Sequence, residues 1–335
     1  MSKHFLITAT LTATSFALGA SAIAQAPGDK PALPASARAK IAEADRIAGN
    51  DFLMRAMRNY HCYYVDPAPA PFRPAVMDTT GFLFGTKILD NVYYLGYLNL
   101  AAYAIRTSEG LVLVDAGGSE EHARKILEWM GKAGFAPGDL KWIIVTHEHF
   151  DHFGGAPLLK AQTGAKIIAG AAAPFGDGQP LMLPTSLKPL DLAVKERTSL
   201  KVGTSEIVLL PTPGHTKGTL SVFAPVEVGG VRHMASFWGG KGMRPNAESI
   251  RDMIRSLAAF DAESTKLKVD VPLNTHSWGD ATIARMIDMI LVPAAPNPFV
   301  LTTQQSRKNM QILERCTSAY LDAVEAGAIT RSARD

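Results

Sequence analysis

The sequence predicts a layered α/β fold, and two observations carry this prediction. In the middle of the chain, an apolar run at 141–146, a helical segment at 154–163 and a second apolar run at 165–169 follow one another as strand, helix and strand. The second half repeats this layout loosely, with short β-branched runs that precede helical periodicity at 247–260. The alternation favours layered α/β architecture over an all-β sandwich.

Composition and charge are those of an ordinary globular chain. The 335 residues are 47% hydrophobic and 19% charged, which is enough for one sizeable core. The formal net charge is only +3, and no block of Lys and Arg or basic stripe with interleaved aromatic residues is present. We therefore expect no nucleic-acid partner, while the oligomeric state is left open.

Residues 1–24 have the pattern of a secretory signal peptide. Lys3 and His4 precede an apolar run at 5–20, and Ala22-Ile23-Ala24 fits the small-x-small cleavage rule. We expect cleavage after Ala24 and a periplasmic or secreted mature protein. No later segment approaches the ~18 uninterrupted apolar residues of a membrane span, so we expect no membrane anchor after cleavage. A retained amphipathic anchor is the alternative.

Residues 25–80 are predicted to be a leader with a helical extension. A Pro- and Ala-rich stretch at 25–36 is followed by one helical pattern from Ser36 to about Arg58, and then by a Pro-rich connector at 67–74. Whether this extension forms a wall of a functional site is left open.

Most of the remaining chain is predicted to form short strands. Strands are predicted at 87–95, 99–106, 111–115, 206–211, 219–224, 231–237 and 269–273, with helices at 120–132 and 304–326. Residues 170–200 show little pattern beyond Pro and Gly residues, so we expect a loop that borders the site.

Only two cysteines occur, Cys62 and Cys316. In an oxidising compartment they could form one disulfide between the N-terminal segment and the C-terminal helix, the alternative being two buried thiols that never meet.

The densest cluster of chemically active side chains follows the strand that ends near residue 146. Strand alternation puts His147 and His149 on one face and Glu148 on the other. Asp151 and His152 come after the turn and can approach from a second direction. Neutral imidazole and carboxylate are ligands that zinc takes readily, and this arrangement suits two adjacent metal ions better than one. Three surface histidines that fall together by chance are the alternative.

The pattern His147-x-His149-x-Asp151-His152 resembles the signature of the metallo-β-lactamase fold superfamily. The resemblance implies an αββα sandwich, two β-sheets face to face with helices outside, over residues 81–295. A C-terminal helical segment, 296–335, would pack on this domain. The resemblance also implies that Asp115 supports the metal site from behind the ligands, although a turn-forming Asp before glycines is nearly as good an interpretation.

Two further histidines complete the ligand sets that the resemblance implies. His215 lies in a Pro-Gly-His turn after one strand, and His276 follows another. The expected cofactor is two Zn²⁺ ions per chain, one held by His147, His149 and His215 and the other by Asp151, His152 and His276. The remaining candidates, His61, His122 and His233, are not expected to be ligands.

The segment 233–242 indicates the branch of the superfamily. It lacks the bridging Asp of lactonases and of thioesterases of the glyoxalase II type, and it lacks the zinc-binding Cys of the first two β-lactamase subclasses. What remains similar is the third, di-zinc subclass, which has a Ser at the position of Ser236; we expect this Ser to contact substrate or water. Trp238 stands where that subclass usually has a second small hydroxyl residue. Lys241 could supply a charge instead, but a solvated loop lysine is the favoured interpretation.

Together with the signal-peptide pattern, the resemblance to the third subclass implies an exported zinc-dependent hydrolase that opens the β-lactam ring of a small-molecule substrate and so confers antibiotic resistance. A pair of zinc ions lowers the pKa of a shared water to about 7, so hydroxide is available at neutral pH. Asp151 would be both a ligand and the residue that orients this hydroxide. The alternatives are the same site acting on a lactone, an ester or a thioester, and a periplasmic zinc-binding protein without turnover. Ser/His/Asp catalysis is disfavoured, since no Gly-x-Ser-x-Gly turn occurs.

Overall fold

The computed structural model describes residues 32–67 and 81–330. The predicted signal peptide, its expected cleavage site and most of the Pro-rich connector therefore lie outside the described residues.

The described residues form eight α-helices and twelve strands. Helices α1 to α8 span Ala35–Ala48, Phe52–His61, Glu120–Lys132, Phe150–Phe153, Ala156–Thr163, Ala247–Leu267, Thr282–Leu291 and Thr303–Glu325. Strands β1 to β12 span Leu83–Leu89, Val92–Gly96, Ala101–Thr107, Gly110–Val114, Leu140–Ile144, Lys166–Gly170, Leu192–Val194, Thr198–Val202, Ser205–Pro211, Leu220–Val228, Val231–Phe237 and Val271–Leu273.

The strands form two sheets. The larger has the order β1-β2-β3-β4-β5-β6-β7, and the smaller has the order β12-β11-β10-β9-β8. Strands β4 to β7 run parallel, as do β11 and β12, whereas the other neighbours are antiparallel. Side chains of the two inner faces, such as Val112, Ile144, Leu209 and Val222, are buried together in one apolar core.

Helices cover both outer faces. On the larger sheet, Ile126 of α3 and Leu159 of α5 pack with Leu113 and Ile143 in a second apolar cluster. On the smaller sheet, helices α1, α2, α6 and α8 bury their apolar faces against residues that include Phe223. The order of layers is helix, sheet, sheet, helix, so the predicted αββα sandwich is confirmed.

The N-terminal extension contains two helices where the sequence predicts one. Gly49, with φ +58°, ends α1, and the side chain of Asp51 caps α2 by accepting a hydrogen bond from the Met54 N–H at 3.0 Å. Of the two alternatives that the sequence leaves open for Cys62 and Cys316, the structure has the disulfide, which ties the end of α2 to α8.

Residues 170–200 are more ordered than a loop. They contain β7 and most of β8, which the prediction missed. In β8, Leu200 and Val202 are buried while Ser199 and Lys201 are exposed, so a period-2 pattern was present but short. The sequence also missed α7 and placed the end of α6 seven residues early, at 260 rather than 267. In the part of the chain that the structure describes, no helix combines the length and apolarity of a bilayer-spanning helix.

Candidate metal centre

The candidate site lies where strands of both sheets end. Asp115 follows β4 and His147 follows β5, its parallel neighbour; Trp238 follows β11 and His276 follows β12, again a parallel pair. Carboxyl ends of parallel strands lie at the same edge of a sheet, which is where ligands bind in open α/β sheets. Residues distant in sequence are therefore brought together.

Three histidines converge at one point of this edge. His215 Nε2 lies 3.0 Å from His147 Nε2 and 3.1 Å from His149 Nδ1. All three rings are inside or partly inside the protein, and their nitrogens face one another. Nitrogens at this spacing match three ligands around a single ion, since zinc–nitrogen bonds are about 2.0–2.1 Å.

A second triad adjoins the first. Asp151 Oδ2 lies 3.5 Å from His152 Nε2 and 3.5 Å from His276 Nε2. The rings of His147 and His152 have centroids 3.9 Å apart, so the two triads share a boundary. The triads coincide with the two ligand sets that the sequence predicts; metal binding by them stays a prediction.

Hydrogen bonds on the outer nitrogens fix the orientation of the rings. His147 Nδ1–H donates to the Gly239 carbonyl at 2.8 Å, and His276 Nδ1–H donates to the Asn99 carbonyl at 3.1 Å. His215 Nδ1–H donates to the Gly242 carbonyl. Because the proton sits on Nδ1 in each of these rings, the Nε2 lone pair is left to face the triads, which is the tautomer that a metal ligand requires.

Asp115 holds His152 in the same way. Its Oδ2 accepts a hydrogen bond from His152 Nδ1–H at 2.6 Å, and its carboxylate also accepts from the Thr146 N–H at 2.8 Å and the Thr146 hydroxyl at 2.9 Å. Asp115 is fully buried and has φ +60°, a left-handed conformation that is uncommon outside glycine. The residue therefore has the supporting position that the superfamily resemblance implies.

The electrostatics of the two triads differ. Burial lowers the pKa of His147 and His215 well below the ordinary value, so both rings are neutral. Burial also acts to lower the pKa of His152, but Asp115 and Asp151 outweigh it and raise this pKa to about 10. For Asp151, burial acts to raise the pKa, yet the charge of His152 holds it well below the ordinary range. The second triad therefore pairs an ionised carboxylate with a protonated imidazole.

Glu148 joins the two loops that carry the first triad. It is buried on the opposite face from its neighbouring histidines, and its carboxylate accepts from the Thr216 hydroxyl at 2.7 Å and the Gly218 N–H at 3.2 Å. The sequence analysis placed Glu148 on this face but gave it no role. The signal was available: a buried carboxylate between two histidines needs partners.

The pocket above the triads has an aromatic wall. Tyr60, Tyr63 and Tyr64 of the N-terminal extension line it, together with the residues that follow the strand ends. This answers the question that the sequence left open, because the extension does border the site. The segment 170–200 does not line this pocket, contrary to prediction, although its Pro180 carbonyl accepts a hydrogen bond from the N–H of Phe150, between His149 and Asp151.

Lys241 is not the solvated loop lysine that the sequence favours. It is only 6% exposed and lines the pocket, with its ammonium 3.8 Å from the centroid of the Tyr60 ring and 5.4 Å from that of Tyr64. The reason lies in the glycines around it. A Cβ at Gly242 would lie 2.6 Å from His215 Cε1, so only glycine lets the loop fold inward across the histidine ring.

Ser236 lies away from the pocket. It is 3% exposed within β11, paired in register with Phe223 and Pro272, and the pocket lining begins two residues later at Trp238. Ser236 therefore lies outside the pocket lining, and its predicted contact with substrate or water stays a prediction. Trp238 packs edge-on against Phe260 at a centroid distance of 5.2 Å.

The three other histidine candidates lie outside both triads, as expected. His61 Nε2 contacts Asn309 Oδ1 at 2.7 Å, His122 Nε2 contacts the Leu95 carbonyl at 3.0 Å, and His233 Nδ1 contacts Asp270 Oδ2 at 2.7 Å.

Comparison with known proteins agrees with this architecture. Residues 95–228 match the model of the metallo-β-lactamase superfamily. The chain is 30% identical over 194 residues to a hydroxyacylglutathione hydrolase of Cereibacter sphaeroides, an alignment that covers 50% of this chain and 72% of the relative.

Solved structures give a second line of similarity. BJP-1, a subclass B3 metallo-β-lactamase of Bradyrhizobium japonicum, superposes with a TM-score of 0.59 and 26% identity, covering 76% of this chain and 97% of that one. A metallo-β-lactamase of Cronobacter sakazakii has a TM-score of 0.60 at 23% identity and covers 75% and 97% of the two chains. At that identity the second likeness concerns the fold alone.

Proposed function

Because the chain belongs to the metallo-β-lactamase superfamily and is a hydrolase of that superfamily, we propose that it is a di-zinc enzyme that hydrolyses β-lactam rings. The proposal specifies both the metal and the substrate. Its support comes from the donor set, from the carboxylates of the pocket and from Lys241.

The donor set fits zinc. Five imidazoles and one carboxylate are borderline ligands of the kind zinc takes, and the outer nitrogens of four of the imidazoles are already hydrogen-bonded. His147, His149 and His215 would hold one ion, and Asp151, His152 and His276 the other. When bound, two zinc ions would polarise a substrate carbonyl and acidify a water molecule.

The observation that carries the substrate assignment is the number of carboxylates. Among the described residues that line the pocket, Asp151 is the only one with a carboxylate. Thioesterases of the glyoxalase II type carry a second, bridging Asp after the strand equivalent to β11, and here that segment contributes Trp238 and glycines. The ligand pattern therefore favours the β-lactamase branch, to which BJP-1 belongs.

Lys241 has the charge that a β-lactam substrate needs. Penicillins and cephalosporins carry a carboxylate beside the ring nitrogen, and Lys241 is the only Lys or Arg among the described pocket residues. Its ammonium, held against the Tyr60 ring, can bind this carboxylate and so orient the ring toward the triads. The third subclass usually has a small hydroxyl residue where this chain has Trp238. Lys241 would take the place of that hydroxyl in binding the substrate.

Asp151 is placed to handle the proton of the attacking water. Its carboxylate stays ionised, because the charge of the neighbouring His152 keeps its pKa low, and it faces the first triad across the pocket. It can therefore accept a hydrogen bond from a water molecule and orient it. Tyr60 at the end of α2, together with Tyr63 and Tyr64 just after it, lines the space that this water would occupy.

A second candidate is thioester hydrolysis. The observation in its favour is the sequence identity to a hydroxyacylglutathione hydrolase, which exceeds the identity to the β-lactamase structures. The same triads would serve a thioester carbonyl, so the ligands alone do not separate the two substrates.

The test uses the zinc-loaded chain with a chromogenic cephalosporin and with S-lactoylglutathione. We expect hydrolysis of the cephalosporin that a chelator abolishes and zinc restores, and loss of activity in His149→Ala. The matched control is His233→Ala, a histidine outside both triads, which should retain activity. A fully loaded chain that leaves the cephalosporin intact contradicts the proposal, and hydrolysis of the thioester alone would establish the second candidate.

We also propose that the protein acts outside the cytoplasm. The signal-peptide pattern of residues 1–24 supports this, as does the Cys62–Cys316 disulfide, since disulfides persist in oxidising compartments. Detection of the mature chain beginning at Gln25 in a periplasmic extract would test it; retention of the unprocessed chain in the cytoplasm would contradict it.

A further inference from the structure

An apolar groove adjoins the metal centre. It lies between α2 and α7, has a volume of about 760 Å³ and is far larger than the pocket over the triads, which has about 50 Å³. The small pocket has room for the reacting group and little else. Most of any drug-sized substrate must therefore lie outside it.

The groove and the pocket share a wall. Tyr60 and Tyr63 line both, so the two spaces meet at the end of α2. If the carbonyl of a substrate lies at the triads, a substituent attached next to that carbonyl can extend past Tyr60 and Tyr63 into the groove. The groove is thus placed as an extension of the site rather than as a separate surface.

The chemistry of the groove is apolar. Phe52 is 77% exposed, Trp278 is 47% exposed and Ile287 is 50% exposed, and all three line it. Among the described lining residues the only ionisable groups are Arg55 and the two tyrosines, and none is a carboxylate. A mostly apolar cleft of about 300–1,000 Å³ with a few polar groups is typical of a small-molecule site. An exposed apolar patch of this kind usually marks a surface where something binds.

We propose that this groove binds a large apolar substituent of the substrate, an acyl chain or an aromatic ring on the side chain next to the scissile carbonyl. The inference rests on the proposed hydrolase activity and adds a preference to it: the enzyme selects substrates by the apolar side chain as well as by the bond it cleaves. A second copy of this chain is the competing occupant.

The test is a series of cephalosporins whose 7-acylamino side chain grows from acetyl to octanoyl. We expect kcat/KM to rise roughly twofold for each added methylene, the value for a methylene about half buried on binding. Ile287→Asp should flatten this rise and leave the acetyl substrate unchanged. The matched control is Ile290→Asp, since Ile290 is 74% exposed on the same helix but outside the groove lining, and its chain-length dependence should remain that of the wild type.

A second variant tests the groove in case Ile287→Asp does not fold. Ala284→Trp fills the groove from an exposed position of α7 and should abolish the preference for long chains while circular dichroism stays unchanged. A flat chain-length dependence in the wild type, or a slope that both groove variants leave intact, overturns the proposal. A change from dimer to monomer in Ile287→Asp with an unaltered slope overturns it in favour of a self-interface.

The outcome separates this proposal from the β-lactam assignment. The same chain-length series is run with 4-nitrophenyl acyl esters. If cephalosporins are not hydrolysed but the esters show the rise and the Ile287→Asp effect, the groove is established and the β-lactam function fails. If cephalosporins are hydrolysed at a rate independent of side-chain length, the β-lactam function holds and the groove proposal fails.

Discussion

Single residues behind the triads set the direction of the histidine rings. His215 is held by the Gly242 carbonyl, His147 by the Gly239 carbonyl and His152 by the Asp115 carboxylate. Since a ring that rotates loses its ligand direction, these contacts matter as much to metal affinity as the ligands do.

Replacement of Gly242 by Ala is expected to weaken metal binding. The added Cβ would lie 2.6 Å from His215 Cε1, so either the ring or the loop must move. We expect about 10- to 100-fold lower affinity for one of two zinc ions, measured by competition with a chromophoric chelator. Gly131→Ala in α3, where a Cβ meets nothing within 4 Å, is the control and should bind zinc as the wild type does. Equal affinities of both variants would contradict the role of Gly242.

Asp115→Asn separates charge from backbone conformation. Asparagine tolerates the left-handed φ of +60°, so the turn is kept while the negative charge facing His152 is lost. We expect the affinity of the second triad to fall about 10- to 100-fold, with the first triad little changed. Two-step zinc titration by calorimetry checks this, and a loss at both steps or at neither would count against it.

At the residue scale, the sequence predicts which candidate ligands converge better than it predicts what surrounds them. The spacing of His147, His149, Asp151 and His152 identifies them, because a strand end and a turn leave few directions open. The tyrosines at the end of the N-terminal extension and the inward position of Lys241 were not predictable, since their contacts join segments about 180 residues apart. Ser236, which the family resemblance predicts to contact substrate or water, is buried within β11 and does not line the pocket.

Among the elements, α2 and α8 determine the wall of the site. The disulfide between Cys62 and Cys316 joins them, and Tyr63 and Tyr64 follow directly in sequence. Replacing both cysteines by Ala should lower the free energy of unfolding by about 2–5 kcal/mol, measured by urea denaturation. Activity should fall through a raised KM, as the tyrosine wall loosens. An unchanged free energy of unfolding would show that packing alone anchors α2.

His61 makes the contact between α2 and α8 sensitive to pH. Burial, followed by the charge of Lys241, lowers the pKa of His61 from 6.5 to about 3 in the folded chain. Between these values only the unfolded state takes up the proton, so stability is present above pH 6.5 and is lost as pH falls toward 3.

The expected slope can be measured. Each pH unit within this window costs about 1.4 kcal/mol through His61. In the presence of chelator, the free energy of unfolding of His61→Gln should therefore depend less on pH than that of the wild type by about this amount per unit between pH 6 and pH 4. Parallel pH dependences in urea denaturation would contradict the assignment.

Elements with strong periodicity were predicted well and short ones poorly. The α3 prediction, 120–132, has the bounds of the helix, because its apolar stripe is complete and Ser119 caps it. The break between α1 and α2 and the edge strands β7 and β8 were missed. Each depends on only a few residues, and these adopt their structure because they contact a neighbouring strand or helix.

On the scale of the whole molecule, the two sheets bring together loops that are far apart in sequence. The histidine loop after β5 belongs to the larger sheet, while His215, Lys241 and His276 follow strands of the smaller one. The face-to-face packing of the sheets is therefore the condition for both triads. Layering was predictable from the sequence through the strand–helix order and the family resemblance; the groove between α2 and α7 was not, since it arises only from the packing.

The most direct test is anomalous diffraction at the zinc absorption edge from crystals of the zinc-loaded protein. The account predicts two peaks, one within about 2.0–2.2 Å of ligand atoms of His147, His149 and His215 and the other at the same distance from Asp151, His152 and His276. With zinc in excess, the absence of a peak at either triad would contradict the two-ion site.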